Sequence, residues 1–245
     1  VNERPPIRHF AIVRLRKGGA LRFLSHLDLN RAMHRAVRRA GLPVRDSQGF
    51  NPSALIGYAQ ALPVGTGGER ELCQIELEHP LPADEVHRAL AGALPEDLAP
   101  VETEVVSGET KKHLSGLTVA EYEMELSAED APDLSALQRA AEELLQAGEL
   151  PVTRETKSET RDVDIRPGIL ELAVFEACPG RDASGPRLRM KLALDQERYV
   201  KPSEVIECLE RRLAGLTGQD VRLHLRVVTR LDLAREYARR HTRGG

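Results

Sequence analysis

Twice along this 245-residue chain, segments with a period of two and segments with a period near 3.6 follow one another in a similar order. That order, β-α-β-β-α-β and then a similar series, points to an α+β architecture with antiparallel sheets, because each split unit must bury one sheet face under its two helices. Each copy, at roughly 100 residues, is long enough to close a core of its own.

In the first half, Ile7 to Arg14 alternates as a strand, and Lys17-Gly18-Gly19 turns the chain toward a helix. Ser25, followed three residues later by Asp28, forms a capping-box-like start, which places the first helical residue at His26. Leu29, Met33, Ala36, Val37 and Ala40 then share one face, and Gly41 with Pro43 ends the helix. Strands follow near Ala54 to Leu62 and Glu71 to Glu78. A helix over Pro82 to Leu94 carries Val86, Leu90 and Leu94 on one side, and Val101 to Val106 closes the half.

Beyond a polar joint at Gly108 to Gly116, Leu117 to Leu126 alternates, Ala131 to Ala147 is an amphipathic helix, and Val152 to Thr156 is extended. Ile169 to Phe175 and Arg187 to Leu194 read as a hairpin across the loop Pro179 to Pro186. A helix over Pro202 to Leu213 and a strand over Val221 to Val228 complete the series. The expectation is two tandem ferredoxin-like halves: a basic domain over 1–108, a second domain over 116–232, and a basic C-terminal tail over 233–245.

Charge divides the chain more sharply than its net value of −3 suggests. From Arg4 to Arg45 there are eleven Arg and Lys against one acid, Asp28, while the remainder holds 24 bases and 37 acids. A local charge of about +10 can steer a polyanion to the first domain. The competing reading is a solvated helix face that merely keeps the chain soluble.

Arg31, His34, Arg35, Arg38 and Arg39 lie off the apolar face of the first helix, so the four arginines are candidate phosphate ligands, with Arg22 and Arg45 flanking them. The loop Ser47-Gln48-Gly49-Phe50-Asn51-Pro52 carries one of only four Phe in a chain without Trp. Exposed, Phe50 would stack on a base while Gln48, Asn51 and Arg45 bond its edge; buried, it would anchor the loop to the core.

His26 and His34 are eight residues apart, about 80° around a helix, and so are poorly placed to share a metal. Either imidazole could serve as general acid or base in metal-independent RNA cleavage, since its pKa of about 6.5 suits that work. Lys157 to Gly168 contains Arg161, Asp162, Asp164 and Arg166; these read as a salt-bridged turn, with Mg²⁺ binding by the two carboxylates as the rival.

Cys73, Cys178 and Cys208 are isolated thiols with no CxxC or CxxxCxxC spacing, which points to no disulfide framework, zinc site or iron–sulfur cluster in this chain. No apolar run approaches the ~20 residues of a bilayer span, and Val1 to Pro6 has no apolar signal core. The expected setting is cytoplasmic, without a membrane partner. No nucleotide-binding glycine loop, nucleophile elbow or zinc-protease helix occurs.

The run Leu21-Arg22-Phe23-Leu24-Ser25-His26-Leu27-Asp28-Leu29, the basic helix after it, the Ser-x-Gly-Phe-x-Pro loop and the segment Val163-Asp164-Ile165-Arg166-Pro167 resemble a bacterial family of radical-SAM-linked proteins. That domain of unknown function occurs alone or fused behind a radical SAM enzyme. Ala54 stands near where the family commonly has a second proline. The resemblance implies association with radical SAM enzymes and ribonuclease G-type proteins, and thus a role in RNA or ribosome metabolism, with tRNA or rRNA as the ligand.

It implies no cofactor on this chain; S-adenosylmethionine and an iron–sulfur cluster would belong to the partner. The leading expectation is a noncatalytic RNA-binding or substrate-presenting accessory protein. The alternatives are an RNA-processing endonuclease using His26 or His34, and a module docking an acidic partner enzyme.

Overall fold

Ser25 starts the first helix as its spacing predicts: its side chain accepts from the Asp28 N–H at 3.2 Å, and α1 runs His26–Arg39. Gly41, at φ +65°, supplies the left-handed residue that lets the chain leave the helix. The computed structural model describes residues 7–108, 114–129, 131–155, 159–176 and 184–234. They form a mixed α+β structure with mostly antiparallel sheet pairing and four α-helices among the described residues. The chain divides into two compact units, Val1–Ser115 with Val227–Asp232, and Gly116–Arg226 with Leu233–Gly245.

In the first unit, β1 (Arg8–Lys17) lies between β3 (Thr66–Leu77) and β4 (Leu98–Gly108), antiparallel to both, and the short β2 (Ile56–Tyr58) pairs antiparallel with β3. Val228 to Arg230 of β10 (Leu225–Ala234) pair with β3 in parallel. Leu29, Met33 and Val37 of α1, with Val86 and Leu90 of α2 (Ala83–Ala93), bury against Ala11, Val13, Leu15, Cys73 and Ile75. Burial raises the Cys73 thiol to about 12, so it is an inert core residue. Cys208 is buried as well, and Cys178 lies outside the described residues.

The same unit holds a buried ion pair. Arg230 is 1% exposed and donates through Nε to Glu71 Oε1 at 2.8 Å, through Nη2 to Glu71 Oε2, and to the Gln60 carbonyl at 2.7 Å. Burial pushes the Glu71 carboxyl above its ordinary value, against the pull of Arg230 and Lys17. Lys17 continues the inward register of Ala11, Val13 and Leu15 and is itself buried. Its ammonium donates to the Arg22 and Leu24 carbonyls at 3.3 and 3.0 Å.

In the second unit, β9 (Ser184–Ala193) pairs antiparallel with β5 (Val119–Ser127) and β8 (Ile169–Phe175), and α3 (Leu134–Gln146) packs against α4 (Pro202–Thr217) and β8. The hairpin of β8 and β9 follows the sequence expectation; most of its connecting loop lies outside the described residues. A strand not foreseen, β7 (Thr160–Asp164), pairs with β6 (Pro151–Glu155), and β10 begins four residues later than expected. No described helix is long and apolar enough to cross a membrane.

Two stability predictions follow from the buried ion pairs. Arg230→Ala strands the Glu71 charge and is expected to cost about 3–5 kcal/mol in urea unfolding, whereas Arg230→Met with Glu71→Leu recovers most of that loss. Glu204, at the start of α4, accepts from Arg154 at 2.7 and 2.8 Å and from the Lys201 N–H at 2.9 Å; burial opposes its ionisation, yet these donors hold its pKa below the ordinary 4.5. Its stabilisation is present above that ordinary value and lost as pH falls through the lowered one. Glu204→Gln should therefore flatten the acid limb of stability measured against pH.

Candidate nucleic-acid interface

The outer face of α1 and the loop after it meet in one open groove of about 500 Å³, lined by His34, Arg35, Arg38, Arg39, Pro52, Ser53 and Ala54. The loop is fastened at its base: Asp46 bridges Ala54, the Ser47 N–H donates to the Ser53 carbonyl at 2.8 Å, and the Ser53 N–H donates to Ser47 Oγ at 3.1 Å. Gly49, at φ +136°, turns its tip, a conformation that favours glycine. Phe50 follows and is 106% exposed, with Gln48 and Asn51 exposed on either side. The structure thus places Phe50 as a bare ring rather than as an anchor to the core.

The arginines of the patch differ in availability. Arg38 is ion-paired with Asp46, Arg31 with Asp28 at 3.3 Å, and Arg45 with the buried Glu76 at 3.2 Å, a carboxylate shared with Arg8 at 2.7 Å. Arg39 donates to the Ala93 carbonyl at 2.7 Å, and the Arg22 guanidinium stacks 4.8 Å from the Phe23 ring centre. Arg35 is exposed and, among the described residues, has no ion-pair or hydrogen-bond partner. The tally from Arg4 to Arg45 stops one residue short of Asp46, and Glu76 arrives from β3, so the field is weaker than a linear count indicates.

His26 and His34 lie about 12 Å apart along the helix axis and face different surroundings. His34 lines the arginine groove. His26 meets the ring of Tyr58 edge-on, with centroids 5.0 Å apart and planes at 81°. Sequence reasoning did not single out Tyr58, Lys17, Glu71 or Arg230. The available signal was Lys17, one of six lysines, standing at an apolar register of β1.

The second-half motif is occupied with its own backbone. Asp164 Oδ1 accepts from the Leu150 and Arg166 N–H groups at 2.7 and 3.0 Å, and Asp162 accepts from the Thr153 hydroxyl at 2.8 Å. Arg166 donates to the Leu145 and Ile169 carbonyls, capping the end of α3, while Arg161 is exposed on β7. The aspartates fix a turn chiefly through backbone amides, and among the described residues no group of three His, Cys, Asp or Glu side chains is placed to hold a metal ion.

The chain belongs to the family described as an uncharacterized protein conserved in bacteria (DUF2344), which matches residues 11–202. No curated protein matches it. Among solved structures it is similar to a chain of a Cbf5-Nop10-Gar1 complex, with a TM-score of 0.43, 10% identity, and coverage of 91% of this chain and 48% of that one. It is also similar to a chain of the archaeal box H/ACA sRNP Nop10-Cbf5 complex, with a TM-score of 0.40, 10% identity, and coverage of 90% and 46%. The chain spans about half the length of these structures' chains.

Asp46 is the carboxylate most directly opposed to polyanion binding in the groove. Asp46→Asn is expected to free Arg38 and delay elution from a heparin column, and Arg35→Glu to advance it; unchanged elution for both would show that the groove does not face the polyanion.

Proposed function

We propose, starting from that family membership, that the chain is a noncatalytic RNA-binding or substrate-presenting protein that works beside a radical SAM enzyme in RNA modification or ribosome metabolism. One observation carries the RNA reading: the basic face of α1 and the loop bearing the bare Phe50 ring border a single groove. Arginines that track a backbone, with an aromatic ring on which a base can stack, are the two parts of a single-strand binding surface. Arg35 supplies the ready phosphate contact; Arg31 and Arg38 exchange an exposed ion pair for a phosphate at little cost, since such surface pairs are worth about 0–1 kcal/mol, and Arg39 would give up its bond to the Ala93 carbonyl.

The radical SAM association rests on the resemblance carried by Leu21 to Leu29 and Val163 to Pro167. The three cysteines lack the CxxxCxxC spacing, so the iron–sulfur cluster and S-adenosylmethionine fall to the partner in this reading. A ribonuclease G-type protein is a further partner on the same ground, and the setting is cytoplasmic. We read each unit as a ferredoxin-like split β-α-β unit, supported in the first by the antiparallel neighbours β4-β1-β3-β2 and in the second by β5-β9-β8 with α3 and α4.

The test is fluorescence anisotropy of labelled tRNA and rRNA fragments at two salt concentrations. Affinity should fall with salt by about 0.7 logarithmic units per logarithmic unit of salt for each phosphate neutralised on a single strand. Arg35→Glu should weaken binding and reduce that slope; Phe50→Ala should weaken binding and leave the slope alone. Binding that is absent at low salt, or unaffected by Arg35→Glu, overturns the proposal.

A further inference from the structure

At the N-terminal end of α1, away from the arginine groove, His26 and Tyr58 border two further spaces. The outer is a cleft of about 310 Å³, lined by His26, Asn30, Gln60 and the chain from Ile56 to Ala61. The inner is more enclosed, about 20 Å³, and shares His26, Tyr58, Gln60 and Ala61 with the cleft. It has room for about one water molecule or one carbonyl oxygen.

The wall of the inner space is mostly apolar, with Leu15, Leu29, Leu62 and Leu72 in it, but Lys17 and Glu71 set two charged groups into that wall. Glu71 is held by Arg230. Lys17 donates to two carbonyls, which leaves one hydrogen of its ammonium without an acceptor among the described residues. The Tyr58 hydroxyl is buried and, among the described residues, has no hydrogen-bond partner. Burial raises its pKa, so it remains a donor at ordinary pH. Two buried donors beside a space sized for one oxygen atom call for an acceptor.

We propose that the His26–Tyr58 cleft takes one unstacked base of a bound RNA and prefers uracil to adenine. The inference rests on the RNA-binding reading above. A uracil carbonyl oxygen enters the inner space and accepts from the Tyr58 hydroxyl and Lys17 Nζ. The exposed His26 ring stacks on the base, and the amides of Asn30 and Gln60, each both donor and acceptor, serve the remaining edge. Adenine carries no carbonyl oxygen: its amino group would face two donors, and its acceptors are ring nitrogens that do not project into a space sized for one atom, so both donors stay unsatisfied. From His26 to Arg35 α1 rises about 13 Å, a span that a short single-stranded segment bridges with its base in the cleft and a phosphate at the groove.

The experiment is anisotropy of labelled decauridylate and decaadenylate with the full chain. Wild type should bind decauridylate about tenfold more tightly, and Tyr58→Phe, which removes a hydroxyl with no partner among the described residues, should erase the preference by weakening decauridylate alone. Arg35→Glu should weaken both oligomers alike. As a check independent of the variant, free uridine should shift the His26 imidazole resonances and adenosine should not. Equal affinity for the two oligomers, with binding intact, overturns the cleft and leaves the RNA-binding reading standing. Binding of neither oligomer at low salt overturns both.

Discussion

Arg230 and Glu71, 159 residues apart, form the contact on which the first unit is organised. Taking two charges out of water costs several kcal/mol for each ion, and only close geometry with further hydrogen bonds offsets it. Arg230 meets that demand with two bonds to the carboxylate and one to the Gln60 carbonyl. The pair therefore ties β10 to β3 and also fixes the chain beside Gln60, a wall of the cleft at His26. Lys17 completes the group: burial lowers its pKa, and the nearby Glu71 carboxyl opposes that shift while the chain from Arg22 to Leu24 brings two carbonyls to its side-chain nitrogen.

Elements whose determinants are local were legible in the sequence. The α1 helix is written in Ser25, Asp28, five apolar positions and Gly41, all within seventeen residues of one another, and the structure follows them. The pairing of β8 with β9 was legible from alternation alone. β7 was not, because Thr160 to Asp164 is nearly all exposed and has no apolar alternation; its order comes from pairing with β6 and from Asp164 bonding backbone amides.

The candidate interface was legible in its parts and not in its balance. Helix face and loop were both visible, but their shared groove depends on how Asp46 and Ala54 fold back on each other. Charge counted along the chain overstates charge in space, since Asp46 and Glu76 neutralise arginines from outside the counted window. The cleft at His26 was hidden for a related reason. Lys17, His26, the segment Ile56 to Ala61 and Glu71 come from β1, α1, the chain around β2, and β3, so no single stretch of sequence holds the group.

The strand β2 has only three residues, and its ladder joins Ile56 to Ile75, Gly57 to Gln74 and Tyr58 to Cys73. Gly57 is small because a Cβ there would stand 3.2 Å from the Gln74 side chain, so the side-chain packing of the strand falls to Ile56 and Tyr58, which lie against the core. Detaching this wall from β3 breaks that short ladder and the packing of two side chains while the helices stay seated on β1, which separates the energy of opening the cleft from the larger energy of unfolding the unit. Entry to the buried donors would then be governed by fraying of a short strand, a local event that leaves the surrounding scaffold rigid.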